Sequence, residues 1–506
     1  AGKPISPPGG NRSEVHSIVF TPDGQGVLTS SFDGVLLWDV RTGKELRRIE
    51  VKEVDARRRH FNGMFRTYGI FPDGKRLLVA DGGGGGGCVM DTATGEVEFN
   101  LSEQCFRWHR AQATLASADG TLLAVWPKNT RGTRSIPLWS LTSGKELHRL
   151  ETKYEDLTGW ALTPDGKTLA AASAPEVKPG VTGSTVQLWD TATGREVAEL
   201  DPGEDRVYKI AISPDGTLLA AGVFTREFGT QVLLWHVATR REILRLPCDD
   251  ILRSNLLFAS DGRTLALAHY VNQQFCIRVW EMASGKVRCE FRTNNRATEL
   301  AFAPDGRTLA AGADDTTVTL WDVGGQLATV SKGKPSTKEL EESWSALDEM
   351  DAVIAHRAMV QMAASPREAV DFLKTRLIPA EATPVDEKTL SRLIADLDSE
   401  EFSKRDQANK ELAKLGSAAK SALEKALRAQ PPAEQRRRIE ELLEKLNEPG
   451  PKREMLRPTR AIEILERLGS PEARGVLQAL AEGQPDAWLT REAKAALQRL
   501  GRRAAP

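Results

Sequence analysis

A four-residue phrase ending in Asp-Gly recurs along the first two thirds of the chain. Its copies are Thr21-Pro22-Asp23-Gly24, Phe71-Pro72-Asp73-Gly74, Ser117-Ala118-Asp119-Gly120, Thr163-Pro164-Asp165-Gly166, Ser213-Pro214-Asp215-Gly216, Ala259-Ser260-Asp261-Gly262 and Ala303-Pro304-Asp305-Gly306. That makes seven, spaced 44 to 50 residues apart. Such a period restricts the fold severely, because each unit can bury its faces only against its neighbours. The phrase itself spells a tight turn. Pro presets φ for the first corner, Asp bonds back to the backbone, and Gly takes the left-handed conformation that closes a hairpin.

Short β-rich runs flank each turn, as in Val15 to Phe20 before the first and Thr308 to Gly312 after the last. A third run usually ends in Trp: Leu37-Trp38-Asp39, Leu138-Trp139-Ser140, Leu188-Trp189-Asp190, Leu234-Trp235-His236, Val279-Trp280-Glu281 and Leu320-Trp321-Asp322, with Val89-Met90-Asp91 in the second unit. A second turn follows, such as Thr42-Gly43-Lys44 or Thr193-Gly194-Arg195, and then a fourth strand. Four antiparallel strands in each of seven units predict a closed β-propeller, since a ring lets every blade cover its neighbour and shields the edges.

The period, the Asp-Gly turn and the Trp-Asp ending together resemble the WD-repeat family over residues 11–332. The family's usual Gly-His pair is missing, its place falling near Asn11, Lys153 and Thr293, and only Asp33 and Asp314 or Asp315 sit where its turn Asp belongs. The resemblance therefore implies the topology without the full network from Trp through a hydroxyl to His and Asp. Trp is left mainly as an apolar wedge between blades.

With 506 residues the chain exceeds one hydrophobic core, and its composition shifts after Asp322. Residues 1–10 form a Pro/Gly-rich lead-in, 11–332 the propeller, 333–337 a polar linker, and 338–506 a helical domain. In the last, Ala, Leu, Glu, Lys and Arg dominate, and apolar residues keep helical spacing, as in Leu390, Leu393, Ile394 and Leu397. Ser365-Pro366 and Ser470-Pro471 place a cap before Pro in a first turn. Ala408, Leu412, Leu415-Gly416-Ser417 is echoed by Ala461, Leu465, Leu468-Gly469-Ser470. Repeating helix pairs resemble HEAT-type α-solenoid units, and the stretch resembles the helical tail of large bacterial WD-repeat proteins. The fold class expected is a seven-bladed β-propeller followed by an all-α, HEAT-like domain.

Little in the chain points to catalysis. The seven histidines lack metal-binding spacing, and the five cysteines, Cys88, Cys105, Cys248, Cys276 and Cys289, include no close pair. The run Gly82 to Gly87 has no helix after it to bind phosphate, so it reads as a turn. Asp249-Asp250 and Asp314-Asp315 are adjacent pairs whose side chains point apart, which suits turns better than acid–base work. No enzyme activity, cofactor or metal is expected. The competing catalytic reading is a hydrolase- or lactonase-like reaction using polar groups of the central channel.

The 69 basic and 70 acidic residues leave no net field to draw nucleic acid or an anionic membrane. Arg436-Arg437-Arg438 and Lys452-Arg453 are the one candidate nucleic-acid stretch, but glutamates interleave with them, which favours intrahelical ion pairs. No membrane-spanning run occurs. The chain starts at Ala1 rather than Met, which fits a removed leader or a piece of something longer, and a cytoplasmic or an exported location.

In a four-stranded blade the first and third connections share one face of the disc, and the second and the blade-to-blade connection share the other. The Asp-Gly and Thr-Gly turns on the first face are short and uniform. Irregularity gathers on the second face: Pro127 to Arg134, Ala174 to Ser184, Phe224 to Thr230, Tyr270 to Phe275, and two blade-to-blade stretches. Variable loops on a rigid scaffold make a binding surface, and Arg with aromatics are common interface anchors. The expected protein-binding residues are Arg57, Arg58, Arg59, Phe61, Arg107, Trp108, Arg131, Arg134, Phe224, Arg226, Phe228 and Tyr270. Their charge suits an acidic peptide or protein partner, and the function expected is a non-catalytic interaction scaffold.

Overall fold

The computed structural model describes residues 2–5, 15, 17–31, 34–49, 65–70, 76–81, 87–101, 111–117, 120–127, 134–175, 183–203, 205–225, 229–248, 251–325, 334–379, 387–415, 417–429, 431–446, 453–485 and 487–504. The chain divides into two compact units, one running to Ala328 and one comprising the helical region from Thr329. The first is a seven-bladed β-propeller of seven four-stranded antiparallel sheets.

Blade one shows how the sequence builds each sheet. Its strands, Ser17–Phe20, Gly26–Ser31, Gly34–Asp39 and Glu45–Ile49, pair in chain order. Gly24 and Gly43 adopt φ of 69° and 71°, conformations an L side chain resists. Asp23 accepts from Thr21 Oγ1 at 2.5 Å and from the Gln25 amide at 2.9 Å, locking the first turn. Asp39, the residue after Trp38, accepts from the Thr42 amide at 2.5 Å and from its hydroxyl at 2.7 Å, locking the second. Asp91 and Asp190 do the same in blades two and four. In blade six Glu281 stands in this place and reaches Ser284 and the buried Arg288, at 2.6 and 2.9 Å.

These turn carboxylates give the propeller an acid sensitivity. Hydrogen bonds from the threonine side chain hold Asp39 and Asp190 below the usual carboxylate range, and the Thr94 amide does so for Asp91. A folded-state pKa below the unfolded one contributes stability above the unfolded value near ~4, lost as pH falls through the folded value. The melting temperature of the propeller is therefore expected to fall as pH drops below about 4, and substituting Asn for Asp39, Asp91 and Asp190 together should flatten that slope. An unaltered acid slope in the triple variant would contradict this.

The ring is tied at three radii. The first strand of each blade touches the first strand of the next all the way round, including Ser17–Phe20 against Ala297–Phe302. At the inner turns, a Cβ on Gly166 would fall 2.9 Å from Ser117, one on Gly216 3.6 Å from Thr163, and one on Gly24 3.6 Å from Pro304 of blade seven. Toward the outside, second-turn residues meet fourth strands of neighbouring blades: Arg240 donates to Val197 O at 2.9 Å, and His148 Nε2 lies 2.9 Å from Ala192 O.

Closure uses the N-terminus. Lys3–Pro4 pairs antiparallel with Val318–Asp322 as the fourth strand of blade seven, and the Ile5 amide donates to Val318 O at 2.9 Å. Ile5 is buried among Val15, Ile18, Trp38, Val318 and Leu320. Lys3 Nζ then donates to Arg41 O of blade one at 2.5 Å. The lead-in expected at 1–10 thus contains a structural strand. A two-residue strand with a proline has no periodicity to betray it.

The repeated Trp side chains are buried, and Met90 takes their place in blade two. Trp38 Nε1 donates to Thr29 Oγ1 at 2.9 Å, so part of the expected network survives in blade one. The buried Nε1 atoms of Trp139 and Trp321 have no hydrogen-bond partner among the described residues. There the ring works as an apolar wedge.

The helical region contains α1 (Thr337–Ala346), α2 (Ala352–Ala363), α3 (Pro366–Arg376), α4 (Glu387–Asp396), α5 (Phe402–Leu415), α6 (Ser417–Arg428), α7 (Ala433–Leu446), α8 (Arg453–Leu468), α9 (Pro471–Ala481) and α10 (Trp488–Ala504). Helix α1 starts within the stretch expected as linker, because Ser336 and Glu339 form a reciprocal capping box. The two prolines open α3 and α9 at N1 as expected, and Ser470 caps the Ala473 amide at 3.2 Å. Buried apolar residues form two cores: one from α1, α2, α3, α8, α9 and α10, the other from α4 to α7. A single consecutive stack would put α7 and α8 in one core, and the echoed segments in α5 and α8 fall in different ones. Arg460 of α8 is fully buried and donates to Leu347 O and Glu349 O, both at 2.7 Å, beyond the C-terminus of α1. Among the described residues no helix is long and apolar enough to cross a membrane.

Candidate functional site

Alternating strand direction assigns the connections to faces as the turn pattern predicts. The face with the second and the blade-to-blade connections is the candidate site. Of the twelve residues expected there, Arg57, Arg58, Arg59, Phe61, Arg107, Trp108, Arg131, Arg226 and Phe228 lie outside the described residues. The described ones are Arg134, Phe224 and Tyr270.

Two of the expected insertions are extended hairpins. In blade six, Thr264–Val271 and Gln274–Glu281 are joined by Asn272-Gln273, both at positive φ, 48° and 62°. This is the pattern of a two-residue type I′ turn. The cross-strand pair Tyr270 and Phe275 packs at its base, ring centroids 4.8 Å apart. In blade five the strands Leu218–Thr225 and Gly229–His236 likewise run long. Phe224, near the end of the first, is 49% exposed and stands opposite Arg206 and Thr230.

Beside it is a residue that sequence reasoning missed. Tyr208 sits at a bulge between Val207 and Lys209 and is 46% exposed, with the Arg206 guanidinium 5.9 Å from its ring centroid. Tyr208 is the extra residue of that register shift, and nothing in strand alternation announces a bulge.

Four arginines on this face pair with carboxylates. Arg134 lies 3.5 Å from Glu155, Arg206 2.9 Å from Asp156, Arg245 3.4 Å from Asp205 and Arg296 3.5 Å from Asp314. Arg134 and Arg206 each link neighbouring blades. Two exposed aromatics, Tyr208 and Phe224, stand in the blade-five sector of this face.

Other expected groups resolve locally. Asp315 accepts from the Thr317 amide at 3.1 Å and hydroxyl at 2.6 Å, a turn role. Arg437 pairs with Glu434 and Glu441, both at 3.0 Å, and Arg438 with Glu434 at 2.8 Å. These arginines pull the Glu434 pKa down to about 2. Cys88, Cys248 and Cys276 are buried, and burial pushes the Cys88 thiol up to about 11. Cys105 lies outside the described residues.

The fold defines a multidomain protein, a seven-bladed β-propeller joined to a distinct helical region. The family model for "WD domain, G-beta repeat" matches residues 2–39 and 285–322. Each match starts around the outer strand of one blade and ends on the Trp-Asp pair of the next, Trp38-Asp39 and Trp321-Asp322. No curated protein matches the chain. Among solved structures, Kuenenia stuttgartiensis hydrazine synthase is similar at a TM-score of 0.49 and 18% identity, over 61% of this chain and 96% of that one.

Proposed function

We propose that this chain is a non-catalytic WD-repeat scaffold that binds a partner protein on the irregular face of its propeller. The observation that carries the reading is the pair of exposed aromatics, Tyr208 and Phe224, held by bulge and hairpin beside Arg206 on a closed ring. Rigid aromatics flanked by ion pairs offer contact area at low entropic cost, the makeup of an interface centre with a polar rim. The helical region, read as HEAT-type helix pairs, offers a second surface. An acidic partner fits if the arginines outside the described residues join the same face, since Arg134, Arg206, Arg245 and Arg296 already have carboxylate partners.

The test is affinity capture with Tyr208→Ala and Phe224→Ala combined. An interface centred here loses about 2 kcal/mol or more per anchor, so retention of the captured partner should fall by well over tenfold. The native melting temperature should hold, because Tyr208 and Phe224 bury little. Undiminished capture of the same partner would reject this face.

A further inference from the structure

The helical unit carries a groove that the propeller face does not use. Its volume is about 460 Å³, and it is lined by Glu341, Glu342, Ser345, Ala346 and Glu349, from α1 and the turn after it, and by Ile354 of α2. All of these residues belong to the helical unit. Glu342, Ser345 and Glu349 follow one another at steps of three and four residues, the spacing that lines up side chains along one face. Ala346 and Ile354 are the apolar part of the lining. Ile354 is 46% exposed, and Met350, between the two helices, is 37% exposed.

The walls of the groove are acidic. From Thr337 to Asp351 the chain holds six carboxylates and one cation, Lys338. No basic residue stands in the last turn of α1, so its negative end adds to that field. Helix α8 answers part of it, with Arg457 3.1 Å from Asp348 and Arg460 on the Leu347 and Glu349 carbonyls. In the groove itself Glu341 pairs with Arg376. Lys338 lies 3.8 Å from Glu342 with both side chains well exposed, an ion pair that contributes little. The Glu349 carboxylate makes no ion pair or hydrogen bond with any described residue.

We propose that this groove binds a cationic amphipathic helix of a partner protein, an aliphatic side chain against Ala346 and Ile354 and basic side chains on Glu342 and Glu349. An acidic ligand would meet repulsion from the walls. A purely apolar one would cover Glu349 without giving it a partner, which is costly. A helix with an apolar stripe between cations meets neither penalty, and docking of a helix in a groove uses that pattern. The proposal deepens the scaffold reading, from which it takes the idea of a second surface, and it involves no propeller residue.

Fluorescence anisotropy of the intact chain with a labelled helical peptide of leucine and lysine tests the groove. Peptides of the same pattern with glutamate or serine in place of lysine are the comparison. The leucine–lysine peptide should bind about tenfold more tightly than either, and less tightly as salt rises. Glu342→Lys with Glu349→Lys, at two exposed positions, should weaken it by about tenfold and make the leucine–glutamate peptide the better ligand. Ile354→Ala should weaken it as well, and helical circular-dichroism melting should stay unchanged in these variants. Equal binding of lysine and glutamate peptides, or native affinity in the double lysine variant, would overturn the proposal. Tyr208→Ala with Phe224→Ala should leave the peptide's affinity as it is; a loss there would place the peptide on the propeller and overturn the groove. Loss of the captured partner in those propeller variants, with no peptide binding to the native chain, would end this proposal and keep the scaffold reading.

Discussion

Ile5→Ala is expected to destabilise the propeller by about 2–5 kcal/mol, the usual cost of emptying a buried aliphatic site. At roughly 2 °C or more per kcal/mol for a domain of this size, melting should fall by about 5–10 °C. The reason is topological as much as hydrophobic. Ile5 is buried in the core shared by blades seven and one, and its amide extends the one pairing that, among the described residues, covers the outer edge of Val318–Asp322. Freeing that strand exposes both an apolar seam and a row of unpaired backbone groups, which invites association. Gly2→Val should act in the same direction, since a Cβ there would lie 2.5 Å from Thr319 and 2.7 Å from Trp321. Leu46→Ala is the control: Leu46 is 58% exposed, and its loss should stay within about 0.5 kcal/mol. Differential scanning calorimetry and gel filtration read both effects. An Ile5→Ala variant that melts with the native chain would mean the ring is not held at this seam.

Arg460→Ala should cost the helical region about 2–3 kcal/mol, because it strands the buried Leu347 carbonyl, worth about 1–3 kcal/mol, and also removes the donor of the half-buried Glu349 carbonyl. The guanidinium donates at 2.7 Å to both Leu347 O and Glu349 O, beyond the negative end of α1, where a cation also favours the helix dipole. Arg460→Lys keeps the charge but not the planar fork, so it should recover part of the loss. Denaturant unfolding followed at the helical circular-dichroism band gives the midpoints. Equal midpoints for Arg460→Ala and the native chain would remove Arg460 from the account of this core.

The propeller was legible because its signals are local. Asp23-Gly24 and Thr42-Gly43 spell their turns in adjacent residues, and repetition multiplies a weak signal into a count of blades. The capping box at Ser336 and Glu339 is equally local, four residues in a row, yet it overlaps the polar stretch 333–337 whose composition suggests a linker. The strand Lys3–Pro4 was not readable at all, since its partner is at the other end of the unit. Tyr208 escaped for another reason: it sits in a bulge, and a bulge leaves the composition of its strand unchanged. The helical echo was real as a pattern, but helices of similar spacing can join either core, and spacing does not choose between them.

By itself the sequence determined the turns, their number and the side chains that wedge the blades, because those depend on neighbours in the chain. Tertiary structure alone decided where the ring is sewn shut and which helices share a core. Those outcomes join residues far apart in the chain, and the free energy that selects such pairings comes from burial and charge in the assembled fold.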